Sequence, residues 1–131
     1  MAAQSSNEPS KAVFWAGCAI SALPVLLLLF SGSMKLIQPE GMAKGFADLG
    51  WPMTLATALG IVEIGSTILY VIPQTSVLGA ILLTGYLGGA VATHARLEQW
   101  QFLAPLGVGI LVWLGLCLRD GRLWSFVPLR R

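Results

Sequence analysis

Apolar residues fall into four long runs separated by short polar punctuation, roughly residues 12–34, 53–72, 77–95 and 102–118. A hydrocarbon core of about 30 Å takes about 20 apolar residues at the helical rise, so each run predicts one membrane-spanning helix. The first is too long for the apolar region of a signal peptide, and FSGSMK after it offers no small-residue cleavage pattern, so it reads as a retained span. Pro24 inside it is tolerated where neighbouring helices satisfy the freed carbonyl. Pro73 stops the second run, and the linker Pro73-Gln74-Thr75-Ser76 is so short that the second and third helices must be antiparallel neighbours. Residues 1–11 read as a disordered polar tail and residues 119–131 as a basic C-terminal tail.

Between the first two runs, residues 39–50 predict a brief amphipathic helix. Pro39 suits a first turn, Met42, Phe46 and Leu49 share one face, and Gly50 can terminate it. Trp51, Trp100 and Trp124 stand beside predicted helix ends, where aromatic belts sit. The pattern therefore predicts an all-α integral membrane protein: an antiparallel four-helix bundle with a short interfacial helix between its first two spans.

Composition strengthens this reading. The chain is 56% hydrophobic and 11% charged, against about 25% charged in soluble proteins. A net charge of +2 without a dense basic cluster argues against nucleic acid as a partner. Cys18 and Cys117 lie inside apolar runs at no metal or redox spacing, and whether they touch is open at this level. Four spans put both termini on one side with Lys11, Arg119, Arg122, Arg130 and Arg131, facing Lys35, Lys44 and Arg96 on the other. The larger positive count predicts cytoplasmic termini and, in a bacterium, the cytoplasmic membrane.

Against this apolar background Glu63 stands out. An acid near the middle of a span costs about 2.5 to 3.5 kcal/mol on insertion scales, so it should face the bundle interior. Ser66, Thr67 and Tyr70 follow at i+3, i+4 and i+7, on one helical face with it. In the first helix Ser21, Pro24, Leu28, Ser31 and Lys35 form a second stripe, and the third helix adds Tyr86, Thr93 and His94. Helix order brings Lys35 and His94 to one mouth of the bundle, with Glu63 deeper. The functional reading is a ligand-binding pocket floored by Glu63, entered past Lys35 and His94, and walled by Tyr70 or Tyr86 with Ser66 and Thr67 alongside. Polar side chains also join membrane helices at about 0.6 kcal/mol per bond, which is the purely structural alternative. Gly85, Gly88, Gly89 and Ala92 on the third helix, and Gly107, Gly109 and Gly115 on the fourth, read as close-packing surfaces. The sequence carries no hydrolase, kinase or dinucleotide motif, and its single histidine predicts no metal centre.

The stretches FSGSMKL, GFADLGWP, LGIVEIGSTILYVIPQTSVLGAILLTGYLGGAVATH and LRDGRLWSFVPLR together resemble the DoxX-like family of small membrane proteins, over about residues 25–130. Lys35, Glu63 and His94 fall at positions that look like the family's recurrent polar residues. The resemblance implies a four-helix membrane bundle. Through DoxX and DoxD, the latter associated with a membrane thiosulfate:quinone oxidoreductase, it also implies an oxidoreductase-complex subunit.

The leading expectation is a membrane subunit that binds a quinone or other lipid-like small molecule, with Glu63 and His94 meeting its oxygen atoms. Two rivals stand beside it. One is a non-catalytic assembly subunit, in a larger membrane complex or a homodimer, whose polar residues only fix helix register. The other is a stand-alone enzyme or transporter that uses Glu63 and His94 for proton transfer.

Overall fold

A computed structural model of the chain describes residues 9–125. The tail through residue 8, the side chain of Trp124, and Arg130 and Arg131 lie outside that description. Among the described residues the fold is all-helical, with no strand. Its elements are α1 (Lys11–Ile37), α2 (Met42–Leu49), α3 (Ala56–Val71), α4 (Ser76–Arg96) and α5 (Leu103–Arg119). Short 3-10 turns lead into α3, α4 and α5, and another, Gly121–Ser125, follows α5.

Among the described residues four segments are long and apolar enough to cross a bilayer: Lys11–Ile37, Met53–Val71, Pro73–Arg96 and Trp100–Arg119. The 19 residues of the second make about 28 Å of helix, close to the hydrocarbon thickness. The 27 residues of α1 make about 40 Å. The first helix thus runs a turn past the expected 34, because Gly32 and Ser33 do not break it. It stops where Gln38 turns left-handed at φ 55° with its N–H bonded to Met34 O, just before Pro39. At the other end the Ser10 hydroxyl accepts from Val13 N. The α3–α4 hairpin follows its proline: Ile72 is extended, as the residue before a proline must be, and Pro73 opens the next turn.

α2 starts at Met42, three residues later than the sequence pattern suggests, because Gly41 at φ 90° takes the N-cap position. Gly50 ends it at φ 79°, with Gly50 N bonded to Ala47 O and Trp51 N to Phe46 O. Only glycine adopts that conformation cheaply, and the resulting sharp exit sets the direction in which Trp51 leaves the helix.

Around the bundle α1 packs on α3 and α5, and α4 packs on the same two, closing a ring. Leu28, Tyr70, Leu83, Leu87, Val112 and Leu116 form the core. The outer faces carry the reverse of a soluble pattern: Trp15, Leu26, Phe30, Ile61 and Ile110 are exposed, whereas Ser21, Glu63, Ser66, Thr67, Ser76 and Thr93 are buried. Apolar outside and polar inside is the arrangement lipid imposes, and with the four apolar spans it makes this a membrane protein.

The end of α5 carries a small titrating device. Asp120 accepts from Arg122 N, Nε and Nη2 at 3.0 Å each, and those bonds hold its carboxyl below the ordinary value of 3.8. A depressed carboxyl supports the fold above its ordinary value and loses that support as pH falls through the lower folded one. Amide hydrogen exchange in Gly121–Ser125 is therefore expected to accelerate below about pH 4 relative to the core of α5. Uniform exchange at pH 3 and pH 6 would show that the pair does not hold the turn.

Candidate functional site

The half of the bundle away from the termini holds a partly open cavity of about 670 Å³. Leu27, Leu28, Leu59, Leu87, Pro105 and Val108 make most of its wall, and Ser31, Lys35, Glu63, Tyr86, Thr93 and His94 supply polarity. Phe46, Leu49 and Trp51 reach it from α2 and the segment behind it. An apolar chamber of this size with few convergent polar groups has the form of a small-molecule site.

Its polar centre is a four-residue cluster. Lys35 Nζ donates to Glu63 Oε2 at 2.7 Å and to Ser31 Oγ at 2.7 Å, and Tyr86 Oη donates to the same Oε2 at 2.9 Å. Glu63 is 2% exposed. A charged acid at that depth persists because a cation meets it directly and a phenol adds a second bond. Ser31 and Lys35 are four apart on α1, so one face presents both. The Lys35 ammonium also stands 5.9 Å from the centre of the Tyr86 ring. The acid's second oxygen, Oε1, accepts no hydrogen bond from the described residues, and Glu63 lines the cavity.

His94 stands at the cavity's outer end with Nδ1 2.8 Å from Gln99 Oε1. An amide oxygen only accepts, so Nδ1–H donates in this bond, and in the tautomer that carries its proton on Nδ1 the Nε2 atom is an acceptor. Trp51 Nε1 donates to Thr93 Oγ1 at 3.3 Å, and Thr93 in turn donates to Gly89 O.

The structure thus brings Lys35, Glu63, Tyr86 and His94 to one cavity and places the other candidates elsewhere. Lys35 is bonded to Glu63 itself rather than standing with His94 at a mouth above it. Thr67 donates to the Glu63 carbonyl at 2.7 Å, and Ser66 is buried; neither lines the cavity. Tyr70 lies deeper in the core, donating to Val112 O at 2.7 Å and accepting from Ser21 Oγ at 3.0 Å, with the Arg119 guanidinium 4.8 Å above its ring. Because the phenol has one proton and gives it to Val112, Ser21 must be the donor in the second bond. Tyr70→Phe removes both bonds and leaves two buried oxygens, so it is expected to cost about 1–3 kcal/mol in unfolding while leaving the cavity intact. A melt indistinguishable from wild type would refute that role.

Gln99, Trp51 and the α2 wall were not legible as site components. Gln99 reaches His94 through a bend at Glu98, a non-glycine residue at φ 55° that no spacing rule anticipates. Phe46 and Leu49 were legible as an apolar face, but nothing in the sequence said that this face covers a chamber. Among the described residues no group of three or more His, Cys, Asp or Glu side chains is placed to hold a metal ion.

No curated protein and no solved structure matches the chain. A family model does, across residues 19–115, which takes in the second and third apolar spans whole, most of the first and fourth, and every member of the polar cluster. The chain belongs to the DoxX-like family.

Proposed function

We propose that this DoxX-like protein binds a quinone or other lipid-like small molecule in the chamber above Glu63, as a subunit of a membrane oxidoreductase complex. In this reading the spans cross a cytoplasmic membrane in antiparallel order with both termini on the cytoplasmic side. α2 then lies in the opposite interface, with its charged pair Lys44 and Asp48 toward water.

The observation that carries the reading is the unused oxygen of a buried, ion-paired carboxylate at the floor of an apolar chamber. Two of the three Lys35 N–H groups are engaged, so the third can donate to a ligand carbonyl. Glu63 Oε1 and His94 Nε2 are acceptors for a ligand hydroxyl. Donor and acceptors in one place suit a head group that alternates between carbonyl and hydroxyl, and Glu63 and His94 are the groups that can hold its proton. The cluster is close to neutral as a set, which favours an uncharged ligand.

Native mass spectrometry with lipid extraction, on protein purified in mild detergent, is expected to show a retained quinone or lipid-like molecule. Glu63→Gln replaces an ionised acceptor with an amide and should weaken retention by about tenfold to a hundredfold. Tyr86→Phe keeps the ion pair and provides a second test should the Gln variant melt early. Full retention in both folded variants would remove the reading.

A further inference from the structure

We propose that the ligand is a chain-bearing amphiphile, whose apolar chain leaves the chamber sideways into lipid through the seam between α1 and α5. This rests on the binding reading above and adds the ligand's shape and its route.

In the terminal half of the bundle that seam is closed backbone to backbone. A Cβ on Gly17 would press on Arg119 and on Gly115 O, and one on Gly115 would press on Ser21. In the cavity half the same two helices present residues that line the chamber and face outward together: Leu27 at 47% and Phe30 at 65% exposure on α1, and exposed Ala104 on α5. A residue that does both marks where a chamber reaches the surface. Pro24 falls between the two halves of α1, and a proline withholds one helix bond and loosens the ladder there.

The other ways out are crossed. Gly32 packs on Gly60 and Ile64, and Lys35 bonds Glu63, between α1 and α3. Gly85 and Gly89 on α4 also line the chamber and are exposed, but beside them Tyr86 bonds Glu63 and ties α3 to α4. α4 and α5 are joined at this end by a short connection, and a Cβ added to Gly109 would come into contact with Leu87. The aqueous end is covered by α2, whose Leu49 O accepts from Arg96 Nη2 at 2.7 Å, and by Trp51 on Thr93. Among the described residues no hydrogen bond crosses the α1–α5 seam in the cavity half. The lining of that seam is aliphatic and aromatic, which suits an alkyl or prenyl chain in contact with lipid.

The test compares a decyl-substituted benzoquinone with the same ring lacking the chain, binding to the purified protein in detergent. Ala104→Phe places a ring in the seam, and Leu106→Phe adds bulk on an exposed α5 position that does not line the chamber. The expected result is tighter binding of the decyl compound to wild type, weakened about tenfold or more by Ala104→Phe. Binding of the chainless ring should be unchanged, and Leu106→Phe should change neither. Equal wild-type affinity for both probes, or decyl binding untouched by Ala104→Phe, overturns the seam. Loss of both probes in Ala104→Phe also overturns it, since the substitution would then act on the ring site. Binding of neither probe to wild type overturns the parent reading itself.

Discussion

Lys35→Met is expected to destabilise the bundle by about 3–5 kcal/mol, because it leaves a carboxylate buried with no cation. Glu63 is 2% exposed, and its Oε2 receives the ammonium at 2.7 Å; Tyr86 alone cannot neutralise it. Glu63→Leu should cost a similar amount from the other side, stranding the ammonium of Lys35, which is itself only 17% exposed. The double variant is expected to behave differently. With both charges gone and aliphatic side chains filling the space, the desolvation penalty disappears with the attraction, and replacing a buried pair this way is often neutral or stabilising. Unfolding of purified protein by a graded denaturing detergent measures all four forms. Single losses that merely add in the double variant would show that the two groups do not act as a pair.

The same cycle bears on why the pair exists. If the double variant is as stable as wild type, stability does not require the charges, and their retention needs another cause. The chamber above them supplies one, because an apolar floor would offer a ligand no acceptor. Loss of ligand retention in a double variant that melts normally would separate the two roles cleanly.

Much of the architecture follows from pattern alone. Four apolar runs with proline and glycine punctuation fall on four helices long and apolar enough to cross a bilayer, whose thickness sets how long such a run must be. The face shared by Glu63, Ser66, Thr67 and Tyr70 follows from helical period and is buried as expected. What periodicity cannot supply is depth and partner. Tyr70 shares a face with Glu63 but lies two turns further toward the terminal end, where Ser21 and Val112 claim its hydroxyl and the chamber does not reach. Lys35 looked like an entrance residue because it sits near a helix end. Its long side chain reaches Glu63 because Gly32 and Gly60 let α1 and α3 approach closely, and that approach is a property of two helices at once. The loop-borne partners Gln99 and Trp51 depend on left-handed turns at Glu98 and Gly50, which local spacing does not encode.

Glycine shows the same limit in a testable form. The runs that look most like packing surfaces, Gly85, Gly88 and Gly89 on α4, meet open space, as does Gly107 on α5. The close approach in the α3–α4 hairpin falls instead on isolated Gly79, where a Cβ would overlap the backbone N and Cα of Tyr70. A side-chain neighbour could rotate away, but backbone cannot. Gly79→Ala is therefore expected to lose about 3 kcal/mol or more to overpacking, partly offset by about 1 kcal/mol of helix propensity. Gly88→Ala gains the same propensity with nothing to strike, so it should leave the bundle unchanged or slightly firmer. The difference should also propagate, because forcing α4 from α3 at that point displaces Tyr70. Its bonds to Ser21 and Val112 and its stack under Arg119 link α3 to both α1 and α5. Gly79→Ala should then lower the unfolding midpoint more than Tyr70→Phe does, while Gly88→Ala lies at or above wild type. Equal midpoints for the two alanine variants would mean that the hairpin yields, and that Gly79 is not what fixes the spacing of α3 and α4.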